Sequence, residues 1–174
     1  MNIFLIGYRA TGKSTLGKIL SKLFKFKFID LDKKIELEKK CSISEIVEKK
    51  GWERFRELET KALFNIQNKS NNVIATGGGV VLKKENRRFL KNNGVIVWLF
   101  ADLDTIIQRL KNDDNSIISR PALTKNDLEQ ETKMLLIQRE PLYSELSSIK
   151  LDTTSKSPEK LAHLVEKEIQ NDRE

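Results

Sequence analysis

A chain of 174 residues fits one domain and is long enough to bury a substantial core without disulfide or metal staples. The lone Cys41 excludes an intramolecular disulfide framework, no apolar run approaches the length of a membrane span, and the apolar N-terminus is too short and lacks the basic leader of a signal peptide. The formal charge of +7 and the pI near 9.4 would suit a nucleic-acid binder, but the 32 basic residues are scattered among glutamates with no basic block and no interleaved aromatic platform.

Residues 2 to 6, apolar from Ile3 to Ile6, read as a parallel strand buried on both faces. Gly7-Tyr8-Arg9-Ala10-Thr11-Gly12-Lys13-Ser14 follows it and opens a helix marked by Leu16, Ile19, Leu20 and Leu23, the setting of a Walker A phosphate loop. Gly7 and Gly12 let the backbone turn around an anion, successive N–H groups point inward, and the next helix adds the positive end of its dipole. Lys13 is then placed to reach the β/γ-phosphates, and Ser14 to put its hydroxyl on Mg²⁺. A Gly-bearing turn in an ordinary α/β domain is the plainer alternative.

Phe24, Phe26, Phe28 and Asp30 alternate with Lys25, Lys27 and Ile29, so residues 24 to 30 read as an edge strand with one wet face. Asp30-Leu31-Asp32 ends that strand, and carboxyl ends of parallel strands face the ligand crevice. One carboxylate can assist Mg²⁺, directly or through water, and the other can orient a substrate hydroxyl. Alternatively, one or both simply start the next helix. Residues 31 to 70 carry several helices, more than one crossover needs. Within them Ser42 and Glu45 make a capping box for a short helix that Gly51 ends, and Phe55, Leu58, Ala62 and Ile66 mark one face of a longer helix.

Val73-Ile74-Ala75 reads as a third strand. Gly77-Gly78-Gly79 follows it with N–H donors and room for close approach of a ligand, or as a flexible turn. Val95 to Leu99 is a fourth strand, and Leu103, Ile106, Ile107 and Leu110 mark another helix. Residues 112 to 124 are polar and aperiodic, a candidate lid in which Arg120 precedes the rigid Pro121. Leu128 to Glu140 reads as helical until Pro141 interrupts it, Ile149 to Leu151 as a fifth strand, and Ser157-Pro158 as the start of a last helix bearing Leu161, Leu164, Val165 and Ile169. Strands alternating with helices predict a parallel sheet covered on both faces.

Arg56, Arg120 and Arg139 offer planar forks for carboxylate or phosphate, and Glu59 stands one helical turn after Arg56. Each arginine alone reads as a surface charge. Together with the phosphate loop, Asp30-Leu31-Asp32, Phe55-Arg56-Glu57-Leu58-Glu59, Gly77-Gly78-Gly79, Arg120-Pro121 and Arg139-Glu140-Pro141-Leu142-Tyr143, in this order, they make the chain resemble the shikimate kinases over nearly its full length.

The resemblance implies an α/β, three-layer P-loop kinase fold with a five-stranded parallel sheet in the order 2-3-1-4-5. It also implies a single domain over 1–174, with a helical substrate-binding insert at 31–70 and a mobile lid at 112–124. The activity it implies is ATP-dependent phosphorylation of the 3-hydroxyl of shikimate to shikimate 3-phosphate, in aromatic amino acid biosynthesis. Lys13, Asp32 and Arg120 would be catalytic. Gly7, Ala10, Thr11, Gly12, Lys13, Ser14, Thr15, Arg109, Arg120 and Lys156 would bind ATP, with Arg109 and Lys156 flanking adenine. Asp32, Arg56, Gly78, Gly79 and Arg139 would bind shikimate, the two arginines clamping its carboxylate. Ser14 would hold Mg²⁺, with Asp30 acting directly or through water. ATP and shikimate are the implied substrates of an expected monomer, while the absence of a leader and of a spanning run predicts a cytoplasmic protein without a membrane partner, and the dispersed charge one without a nucleic-acid partner.

Two positions depart from the pattern: Ala10 stands where many relatives carry glycine, and Lys156 where arginine is frequent. A kinase of another small molecule such as gluconate, a nucleotide-dependent regulatory module without catalysis, and a nucleic-acid-binding module are the competing readings. The first should lack the two carboxylate-gripping arginines, retained Lys13, Asp32 and Arg120 oppose the second, and dispersed charge opposes the third. His163 reads as a packing or surface residue of the last helix, Cys41 as inert, and Trp52 and Trp98 as core or core-edge residues.

Overall fold

The computed structural model of the chain describes residues 1–66, 70–112 and 127–171. Five strands, β1 (Asn2–Ile6), β2 (Lys27–Asp30), β3 (Asn72–Ala75), β4 (Val95–Phe100) and β5 (Ile149–Asp152), form one sheet in the order β2-β3-β1-β4-β5, and every pairing is parallel. Seven α-helices surround it among the described residues: α1 (Lys13–Leu23), α2 (Leu31–Lys39), α3 (Ile43–Phe64), α4 (Lys84–Asn93), α5 (Leu103–Lys111), α6 (Leu128–Leu146) and α7 (Pro158–Asn171).

The sheet's two faces follow from the period of the central strand. Phe4 and Ile6 join a core with Leu31, Phe55, Leu58 and Tyr143, whereas Ile3 and Leu5 join one with Leu16, Leu20, Leu161 and Val165. Every residue of β1 is buried, as the apolar run from Ile3 to Ile6 predicts, and the buried Asn2 has its amide oxygen accepting from Asn72. Apolar side chains leaving water on both faces give the sandwich its main driving force, roughly 25 cal/mol for each Å² of apolar surface buried.

Two local readings are corrected, and one helix had no sequence signal. Phe24 and Lys25 are not strand: Phe24 caps α1, Lys25 takes a left-handed φ of 54°, and the Phe26 amide returns to the Ser21 carbonyl at 2.8 Å. The alternating phenylalanines instead meet each other, with the rings of Phe24 and Phe26 centred 5.6 Å apart, while the edge position of β2 stands as expected. Pro141 does not interrupt its helix, since α6 runs on to Leu146. The carbonyl four residues earlier belongs to the solvent-exposed Ile137, so water can replace the hydrogen bond that proline cannot donate. The polar stretch Lys84–Asn93 forms α4 on only two large apolar residues, Phe89 and Leu90, too few for a helical period to stand out.

The capping box forms as read: Ser42 Oγ accepts from the Glu45 amide at 3.2 Å, and the Ser42 amide donates to Glu45 Oε2 at 2.8 Å. Gly51, at φ 77° and ψ 167°, breaks the helical geometry within α3 and kinks it. Beyond the kink, Trp52, Phe55 and Arg56 line a cleft with the loop glycines after β3.

Strand register assembles that edge. Asp30 pairs with Ala75, and Ala75 with Leu5, so the loop after β1, the acidic end of β2 and the glycines after β3 emerge side by side.

Candidate active site

The phosphate loop connects β1 to α1. Gly12 caps the helix in the left-handed region at φ 89°, and no side chain caps the helix there, which leaves the first-turn amides facing the loop's concave side. Ala10 also sits in the left-handed region, at φ 60°. This explains why glycine suits the position, and the methyl costs about 1 kcal/mol of backbone strain. Lys13 Nζ donates to the Gly7 carbonyl at 2.9 Å and to the Tyr8 carbonyl at 2.5 Å, while Ser14 Oγ donates to Asp30 Oδ2 at 2.6 Å. Asp30 Oδ1 meanwhile caps α2, accepting from the Lys33 amide at 3.3 Å. Helix capping and proximity to Ser14 therefore coexist in one carboxylate.

Two clefts open on either side of this loop. One is lined by Asp32, Arg56, Gly77, Gly78, Gly79 and Arg139, with Tyr8, Arg9, Ile43, Trp52 and Phe55 completing its wall. The other is lined by Ala10, Thr11, Gly12, Thr15, Arg109 and Lys156, together with Leu16, Leu99, Thr153, Pro158 and Leu161. Residues drawn from distant parts of the sequence thus sort into two sites that meet at the loop. Arg120 and Pro121, with residues 113–124 of the expected lid, lie outside the described residues.

In the first cleft, Arg56 is fixed on three sides. Its Nη1 donates to Glu59 Oε2 at 2.7 Å, and its Cζ lies 5.4 Å from the Trp52 ring centroid and 5.2 Å from that of Phe55. Glu59 is fully buried, so the ion pair is shielded from water and holds the guanidinium in one orientation. Gly79 provides the space: a Cβ there would sit 2.2 Å from Arg56 Cζ, just as one on Gly77 would sit 2.1 Å from Glu59 Oε1 and 3.0 Å from Asp32 Oδ1.

Arg139 comes from α6. Its Nη1 donates to the Gly78 carbonyl at 3.3 Å, its Cζ lies 5.9 Å from the Tyr8 ring centroid, and its buried Nε has no hydrogen-bond partner among the described residues. The Tyr143 hydroxyl donates to the same Gly78 carbonyl. Burial pushes the Tyr143 phenol well above the usual tyrosine range, which keeps it a proton donor to that oxygen. Asp32, in the first turn of α2, is buried with its carboxylate toward the glycines.

In the second cleft, Arg109 is tethered by Thr153, with Nη2 2.6 Å from its carbonyl and Nη1 3.1 Å from its hydroxyl, and Nη1 also reaches the Ala10 carbonyl at 3.3 Å. Lys156 borders the same space just before α7. Each side chain brings a flat or extended cationic surface to a partly apolar floor of Leu16, Leu99 and Leu161, suited to a planar base.

Sequence reasoning did not single out Tyr8, Arg9, Glu131 or Thr153. Tyr8 and Arg9 occupy positions that the loop motif leaves open, and Glu131 looks like any acidic residue in a helix's first turn. Thr153 had no sequence signal, because its carbonyl and hydroxyl meet a residue 44 positions away. His163 is exposed and lies 3.5 Å from Glu166, far from both clefts in role, and Trp98 stacks on Tyr143 with centroids 6.0 Å apart. No helix among the described residues is long and apolar enough to cross a membrane.

Known proteins share this architecture. The family described as Shikimate kinase matches residues 9–170. A shikimate kinase of Thermodesulfovibrio yellowstonii is 43% identical over 169 residues, covering 97% of this chain and 95% of its own, and one of Persephonella marina is 39% identical over 157 residues, covering 90% and 92%. The solved shikimate kinase of Acinetobacter baumannii, in complex with shikimate, superposes with a TM-score of 0.91 at 34% identity, covering 98% of this chain and 93% of that one. With a family match over almost its whole length, relatives near 40% identity and a close structural superposition, the chain belongs to the shikimate kinase family.

Proposed function

We propose that this protein transfers the γ-phosphate of ATP to the 3-hydroxyl of shikimate, giving shikimate 3-phosphate and ADP in aromatic biosynthesis. The observation that carries the reading is the placement of two guanidinium forks, Arg56 and Arg139, beside the buried Asp32 in a cleft bordering the phosphate loop. A ring carboxylate can take the forks through charge-assisted hydrogen bonds while Asp32 meets ring hydroxyls at the phosphoryl-donor end. The buried, unbonded Nε of Arg139 supports this assignment, since an anionic ligand would satisfy it.

On this reading Arg56 and Arg139 bind the carboxylate, and backbone groups of Gly78 and Gly79 add contacts. Asp32 orients the attacking hydroxyl and accepts its proton. The loop amides from Gly7 through Thr15 cradle the phosphates, Lys13 exchanges its loop carbonyls for β/γ-phosphate oxygens, and Arg109 and Lys156 flank the adenine. Arg120 is assigned from sequence alone, as the cation that offsets charge on the transferring phosphoryl group. The Ser14 hydroxyl and Asp30 carboxylate, 2.6 Å apart, make a hard-oxygen pair that fits Mg²⁺, with Ser14 as direct ligand and Asp30 behind it. When bound, that ion neutralises charge on the β- and γ-phosphate oxygens. The reading extends to a monomer in the cytoplasm without a membrane partner, and the dispersed lysines support the absence of a nucleic-acid partner.

The test is ADP release in a coupled assay with shikimate, gluconate and nucleoside monophosphates offered separately. Turnover is expected with shikimate. Activity confined to either of the others rejects the proposal.

A further inference from the structure

Arg9 occupies an open position of the phosphate-loop motif, yet its side chain is only 14% exposed and lines the cleft with Asp32, Arg56 and Arg139. Its guanidinium is oriented by two neighbours. Nη2 pairs with Glu131 Oε1, Nε donates to the Tyr8 hydroxyl at 3.3 Å, and Cζ lies 5.6 Å from the Tyr8 ring centroid.

Glu131 lies near the start of α6 with its side chain 2% exposed. A carboxylate so buried is costly unless a cation sits beside it. Two turns further along the same helix stands Arg139, bound to the Gly78 carbonyl. Helix α6 is therefore fastened to the phosphate loop through Glu131 and to the glycine loop through Arg139. Arg9 and Arg139 also share one aromatic ring, their Cζ atoms lying 5.6 and 5.9 Å from the Tyr8 centroid, and Glu131 offsets one of these two like charges.

We propose that Arg9 and Glu131 are a positioning pair for phosphoryl transfer: Glu131 neutralises and orients Arg9, so that the phosphate loop and the helix bearing Arg139 keep one spacing. The inference rests on the reading of this cleft as the shikimate-phosphorylating site. Loosening that spacing misaligns the γ-phosphate with the acceptor hydroxyl, and turnover suffers more than nucleotide binding because in-line transfer depends on sub-ångström alignment.

The test compares Arg9→Met, Glu131→Gln and the double variant in steady-state ADP release at saturating ATP and shikimate, beside thermal melting. Each single change should lower kcat about tenfold while the KM for ATP stays within about threefold, and the double variant should lose no more than the worse single because the two residues act as one unit. Arg9→Lys, which keeps the charge without the planar fork, should recover part of the lost kcat. It also decides the matter if the other variants fail to fold: a lowered kcat at unchanged ATP KM upholds the pair, and a parental kcat overturns it. Losses that multiply in the double variant, or a lower melting temperature with kcat within about twofold of the parent, also overturn the proposal. The parent is measured in the same assay. Its failure to turn over shikimate is a failure of the kinase reading, whereas normal parental turnover with unaffected variants is a failure of the pair.

Discussion

The guanidinium of Arg56 occupies the space that a side chain on Gly79 would need, with an added Cβ falling 2.2 Å from Arg56 Cζ. That relationship makes a backbone position a determinant of ligand affinity. Arg56 is held by Glu59, Trp52 and Phe55, so it cannot move aside without giving up an ion pair and two ring contacts. Gly79→Ala should therefore displace the fork and weaken shikimate binding about tenfold, comparable to losing one charge-assisted hydrogen bond, with ATP binding little changed. Titration calorimetry with each ligand reads both affinities. Parental shikimate affinity in Gly79→Ala would mean that Arg56 does not hold the substrate in this orientation.

Asp32→Asn keeps nearly the same shape but cannot accept a proton and presents a donor where an acceptor stood. General-base and orienting roles are typically worth 10²–10⁴-fold, so kcat should fall by roughly a hundredfold or more. Circular dichroism should match the parent. Retained kcat would place the acceptor of the hydroxyl proton elsewhere.

Arg56→Ala and Arg139→Ala should each weaken shikimate binding by about 1.5 to 3 kcal/mol, on the order of tenfold to a hundredfold, while ATP binding alone changes little. A shikimate analogue with a neutral amide in place of its carboxylate sharpens the comparison. Binding of the amide should be penalised far less by either substitution, because the lost interaction is with the carboxylate charge. Equal penalties on acid and amide would remove the carboxylate clamp.

Arg120→Ala should lower kcat strongly and leave shikimate affinity near the parental value, since its proposed partner is charge developing on the transferring phosphoryl group. Full kinetics in both substrates separate the effects. A rise in KM alone would make Arg120 a ground-state binding residue.

Much of this protein was legible in its residues because the relevant signals are local. The run Ile3-Phe4-Leu5-Ile6, the phosphate loop and the period of α1 lie within one stretch, and backbone sterics with side-chain burial fix them with little outside help. The Ser42–Glu45 box and the kink at Gly51 are equally local and appear where the sequence put them. The order β2-β3-β1-β4-β5 was implied by family resemblance, since alternation of strands and helices predicts a parallel sheet but no order for its strands.

Tertiary structure decided the features that local patterns misread or left silent. Phe24 and Lys25 carried the alternation of a strand, but closing α1 against the Ser21 and Leu20 carbonyls prevailed. Pro141 signalled a stop, but the exposure of Ile137 four residues earlier and a buried opposite face let α6 continue. Arg9 and Glu131, 122 residues apart, became an ion pair because the fold laid the start of α6 across the phosphate loop, and Arg109 found Thr153 because α5 and the segment after β5 share one cleft. No periodicity encodes such pairings. Charge complementarity between distant segments becomes energetically decisive only after folding has excluded water from around them.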